Sequence, residues 1–149
     1  MVSMDELVKG RDKQFPNEFT DEIKSNLEDL LGVINEVRAR YGKPMTVTSG
    51  WRPAAINAAT PGAAKNSAHC LGLAVDISDT TGELWSWVLA NLDLMQSLGI
   101  FLEDRRWTPT WVHFGLKKPL SGKRIFVPST AAAGKPDAWD GKYDKKYDV

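Results

Sequence analysis

Hydrophobic positions recur at helical spacing over one long stretch: Ile23, Leu27, Leu30, Leu31, Ile34, Val37 and Tyr41. Thr20 stands where an N-cap belongs, with Asp21 and Glu22 in the first turn, and Gly42 and Pro44 close the segment. This predicts an amphipathic helix that carries much of the scaffold. Residues 1–18 are short and mixed, with a turn at Pro16-Asn17. Met45–Ser49 alternates apolar and polar residues and reads as a strand, and Pro53–Ala59 as a short helix opened by Pro53. Thr60–Ser67 is a loop of small residues. Cys70–Ile77 reads as a strand despite Gly72, and Glu83–Leu98 as a second helix burying Leu84, Trp87, Val88, Leu92 and Met95. Ile100–Asp104 and Trp111–Leu116 predict a β-hairpin, and Lys123–Val127 an edge strand. Helices first and strands later argue an α+β fold, a single domain with helices packed on a small antiparallel sheet. Residues 1–128 form that domain in this reading. Residues 129–149 lose periodicity and read as a peripheral tail, packed through Trp139.

Composition changes this picture little. At 149 residues the chain can bury a core without covalent staples. Its 19 basic side chains balance 19 acidic ones, so bulk charge gives no support for nucleic-acid binding. One cysteine, Cys70, excludes an internal disulfide, and its position suggests a buried, inert thiol. No apolar run reaches membrane-spanning length. The first ten residues are too polar for a secretory signal. The expectation is a monomer made in the cytoplasm, without membrane insertion.

The candidate chemistry lies in the only two histidines, His69 and His113, and in Asp76 between them. Imidazole nitrogen and carboxylate oxygen are both good zinc ligands, and three protein ligands with one open position is the pattern of catalytic zinc. A structural site would call on more thiolates than this chain has. Taken alone, the spacing is a weak pattern and reads more readily as two hydrogen-bonded core histidines and a turn aspartate.

A wider set of residues adds to it: Ser49-Gly-Trp-Arg52, Asn57, Ser67-x-His69-x-x-Gly72-x-Ala74-x-Asp76 and Trp111-x-His113. In that order they resemble the zinc D-alanyl-D-alanine carboxypeptidases, the D-Ala-D-Ala dipeptidases and the phage L-alanyl-D-glutamate endopeptidases, whose fold the hedgehog signalling domain shares. The resemblance spans about Phe19 to Pro128. It implies Zn2+ on His69, Asp76 and His113, and a peptidase acting on peptidoglycan stem peptides. It also implies that Arg52 contacts substrate and offsets developing negative charge, and that Ser67 contacts substrate near the metal. A wall target and the polar N-terminus together suggest a phage-encoded protein, delivered with the virion or released at lysis. Gly72 and Ala74 act through their small size.

The chain departs from the family at one place. Many members carry an acid three residues before the last histidine, and here that residue is Thr110. Glu103 and Asp104 are the nearby acids. If the hairpin sets Glu103 opposite Trp111 or His113, Glu103 shares the face of His113 and is the candidate general base; a one-residue slip gives Asp104 that place. Trp111 is expected to pack beside the site as a substrate contact, with Trp51 and Trp107 as further contacts. A zinc-binding module without catalysis, structural or wall-binding, is the competing reading, and Thr110 is what favours it.

Overall fold

The predicted long helix forms as read. In the computed structural model, which describes residues 1–128 and 143–149, α3 runs Asp21–Tyr41. Thr20 Oγ1 accepts from the Ile23 amide, and Gly42 ends the helix at φ 77°. Leu27, Leu30, Ile34 and Val37 form its buried stripe. Two short helices precede it, α1 (Met4–Val8) and α2 (Arg11–Gln14). The mixed reading of residues 1–18 missed them, although Ser3 and Glu6 form a capping box at the start of α1. Leu7 and Val8 of α1 are buried in the core with Val2.

Five strands make one sheet in the order β1-β2-β4-β3-β5: β1 Val47–Ser49, β2 Ala74–Ser78, β3 Phe101–Glu103, β4 Trp111–Gly115 and β5 Ile125–Phe126. The first four pair antiparallel, but β5 runs parallel to β3. The sheet is therefore mixed rather than purely antiparallel. The cause is topological: β5 reverses direction after β4 yet lies beyond β3, which already opposes β4.

Helix α4 covers Ala54–Ala58, close to its expected place. The second long helix breaks in two, α5 (Glu83–Ala90) and α6 (Leu92–Ser97). Asn91 leaves helical geometry at φ −127°, and its side-chain amide donates to the Trp87 carbonyl, an alternative that asparagine offers the backbone. Of the expected stripe, Leu84, Val88, Leu92 and Met95 are buried and Trp87 is half-buried.

Alternation along the sheet decides where the site lies. Val75 and Ile77 of β2 and Val112 and Phe114 of β4 belong to the hydrophobic core with α3, α5 and α6. The intervening Asp76 and His113 fall on the opposite face, directly paired. Residues 143–149 lie along the outer edge: Arg124 Nε donates to the Tyr147 carbonyl at 2.9 Å, and the Val149 amide to Gly122 at 2.7 Å. Trp139, the expected anchor, lies outside the described residues.

Candidate metal centre

Asp76 sits in the middle of β2, with neighbours on both sides. Its pairing with His113 brings Oδ1 to 2.9 Å from His113 Nδ1. His69 comes from a different kind of element, a 3-10 turn over Ala68–Leu71, and its Nε2 lies 3.3 Å from the same oxygen. One ligand atom from each of the three residues falls within 4.8 Å of the others. Both histidines and the aspartate are at least nine-tenths buried.

The 3-10 turn corrects the reading of Cys70–Ile77 as one strand. Ser67 caps the turn, its Oγ accepting from the His69 amide, and Gly72 closes it in the left-handed region at φ 72°. A Cβ at Gly72 would stand 2.9 Å from Leu27 Cγ, so the turn packs directly on α3. The strand starts only at Ala74. Cys70 consequently has no strand face; it is half-buried, and burial pushes its thiol up, away from reactive thiolate.

His69 is held from behind. Its Nδ1 lies 2.9 Å from the Gly50 carbonyl, which can only accept, so Nδ1 carries the proton and Nε2 offers its lone pair to the cluster. The Gly50 carbonyl was not anticipated, because a backbone oxygen leaves no mark in a residue pattern. Gly50 is itself pressed onto α1: a Cβ there would collide with the Leu7 carbonyl oxygen. The adjacent Trp51 amide donates to that oxygen at 2.8 Å. Trp51 is fully buried, its Nε1 donating to the Cys70 carbonyl and its ring 5.1 Å from that of Phe19.

Arg52 joins the turn to the cluster. Its amide donates to the His69 carbonyl at 3.1 Å, and Nη2 to Ser67 Oγ at 3.3 Å. The guanidinium is largely buried, its pKa lowered by that burial against the opposing pull of Asp76. Among the described residues no carboxylate forms an ion pair with it.

The two acids of the hairpin part company. Phe101 pairs with Gly115 and Leu102 with Phe114, so the register carries Glu103 to the position opposite His113. Glu103 Oε1 lies 3.7 Å from His113 Nδ1. Asp104 turns away: its buried carboxylate pairs with the exposed Arg106, 2.8 Å at the closest, and caps the 3-10 turn Arg105–Trp107. Thr110 is exposed in the loop before β4.

Electrostatics follow from this packing. Burial raises the Asp76 carboxyl, but the adjoining imidazoles outweigh it and hold Asp76 well below the usual carboxylate range. Burial lowers His113; Glu103 and the Asp76 hydrogen bond outweigh that and push it up to about 9. Two imidazole nitrogens and a carboxylate oxygen, converging on one spot with one imidazole oriented from outside, form a donor set that suits a zinc-type ion.

These residues floor a cleft of about 420 Å³. Ser67, Arg52 and Glu103 line it with the three clustered residues; Trp111 and Trp107 form one wall and the 60–64 loop another. Arg105, not singled out from sequence, braces the far end: Nη1 donates to Asp79 Oδ2 at 2.9 Å and to the Trp111 carbonyl at 3.1 Å. Asp79 also caps α5 through the Leu84 and Trp85 amides.

A family model described as Peptidase M15 matches residues 3–103 of the chain. The matched segment holds His69, Asp76, Arg52 and Glu103; His113 lies beyond it. No curated protein and no solved structure shows a significant match.

Proposed function

Because the chain belongs to the peptidase M15 family, we propose that it is a zinc peptidase that hydrolyses an amide bond in peptidoglycan stem peptides. The observation that carries this reading is the convergence of His69, Asp76 and His113, within 4.8 Å, at the floor of an open cleft. In it, His69, Asp76 and His113 would hold the ion. When bound, zinc supplies Lewis-acid chemistry.

The protein groups do the rest. Glu103 Oε1 takes the proton of the attacking water and returns it to the leaving amine. Its support is its reach: it is the acid that faces the cluster, while Asp104 is occupied by Arg106. Arg52 offers a guanidinium without an acidic partner to the charge that develops on the scissile oxygen. Ser67 holds Arg52 in place and borders the substrate with Trp111. Thr110 then has no part in proton transfer, and Glu103 takes the role given to the missing acid.

Digestion of purified peptidoglycan with zinc-loaded protein, followed by mass spectrometry of the muropeptides, tests this. The expected result is a new amino and a new carboxyl terminus within the stem peptide. Unchanged muropeptides, from protein shown to hold one zinc, would instead establish a zinc-binding module without catalysis.

A further inference from the structure

A second cavity adjoins the cleft and is larger, about 700 Å³. It runs between helix α4, the end of the α2–α3 connection and the 60–66 loop. Arg52, Thr60 and Ala63 line both cavities, so the two spaces meet at the guanidinium and under the loop. Each is of a size that holds a ligand of several residues or a drug-sized molecule.

The charge on the groove wall is lopsided. Arg52 is only 8 % exposed and has no acidic partner among the described residues. Asp76 and Glu103 act on it only from a distance, so a direct, hydrogen-bonded counter-charge is left for a ligand to supply. Lys65 adds a second cation on the rim. Glu18, the one acid of the lining, is already committed to the Ala54 amide at 2.9 Å, at the start of α4. Moreover, of the three buried side-chain polar atoms without a partner among the described residues, two belong to this wall: Arg52 Nε, a donor, and Asn57 Oδ1, an acceptor that suits a peptide N–H rather than a carboxylate. Native cores leave few such atoms, and here they gather beside a groove.

Here the cation has open space on both sides. We propose that the groove is a second binding site for the same substrate: it takes an anionic arm of the stem peptide that continues past Arg52. This rests on the reading of the cleft as a stem-peptide hydrolase.

Binding by the zinc-loaded Glu103→Gln variant tests it, measured by calorimetry so that turnover does not intrude. The probes are the complete stem peptide and the dipeptides D-Ala-D-Ala and L-Ala-D-Glu. The stem peptide is expected to bind at least about tenfold tighter than either dipeptide, a gain that weakens with salt. Lys65→Glu, and Ala58→Trp on the exposed groove face of α4, each remove that gain. Thermal melts of both variants confirm that they fold. Equal affinity for stem peptide and dipeptides, or a gain that neither substitution touches, overturns the groove assignment and leaves the cleft reading standing. Binding of none of the three probes overturns the cleft reading, and the groove with it.

Discussion

His113 and His69 bring the same chemistry to one carboxylate by different means. His113 is delivered by a regular ladder: five consecutive residue pairs join β2 to β4, and the pairing of Asp76 with His113 is one of them. His69 is delivered by a four-residue turn, capped by Ser67, closed by Gly72 and tied to a backbone oxygen of Gly50. The first arm is held by many weak, repeated interactions, so its position is over-determined. The second depends on a few particular contacts. Damage of equal local size should therefore reach the centre more readily through the His69 arm.

Removing either proposed ligand sets the upper limit. His113→Ala and His69→Ala should each abolish zinc retention in elemental analysis and peptidoglycan hydrolysis with it, whichever arm is cut. If one variant keeps stoichiometric zinc, that histidine is not a ligand. Next in size is Glu103→Gln, which leaves both arms intact. It should lower kcat about 10²- to 10⁴-fold with zinc content unchanged, and full activity would remove Glu103 from proton transfer.

The comparison itself is tested by two glycines. Gly50→Ala strikes the His69 arm, where the new methyl collides with the Leu7 carbonyl. It should cost about 3 kcal/mol of stability and weaken zinc binding roughly 10- to 100-fold through the loosened imidazole. Gly115→Ala strikes the His113 arm, where the methyl would stand 3.1 Å from His113 Nε2, a tight contact rather than a collision with backbone. Its effect on zinc affinity should be clearly smaller, and a chelator competition titration ranks the two. The reverse order would refute the contrast between ladder and turn.

The smallest effect lies at the outer edge of the sheet. Burial and the hydrogen bond to Asp148 push the Tyr143 hydroxyl up to about 12. A raised folded-state pKa stabilises the protein fully below pH 10, and that contribution is lost as pH rises from 10 through 12. It amounts to about 1 kcal/mol once solvent screening is allowed for. Tyr143→Phe should remove this slope from thermal melts between pH 9 and 12 while zinc affinity stays as it was.

The same contrast governs what could be read from the chain. Where one period persists, the reading succeeded: Thr20, the apolar stripe and Gly42 bound α3, and alternation along the hairpin put Glu103 on the face of His113. Where single contacts decide, it did not. Nothing periodic distinguishes Ala68–Leu71 as a turn, because Gly72 packing against Leu27 is a tertiary event. Asn91 breaks a helix whose apolar spacing runs on without interruption. The parallel course of β5 depends on where the strand lands, not on its composition. The Gly50 carbonyl and the Arg105–Asp79 brace belong to no pattern of residue types, although the Ser3 and Glu6 box at the start of α1 was available to be read.

That first helix has a practical consequence. Met1 is 92 % exposed, but Val2 is buried, and its backbone exchanges two hydrogen bonds with the Asn35 side chain. Five residues on, Leu7 receives the Trp51 amide and leaves room only for a glycine at position 50. A purification handle joined directly to Met1 therefore pulls on the segment that seats His69. A handle separated by a flexible spacer does not, and the choice between them should show in how much metal the purified protein keeps.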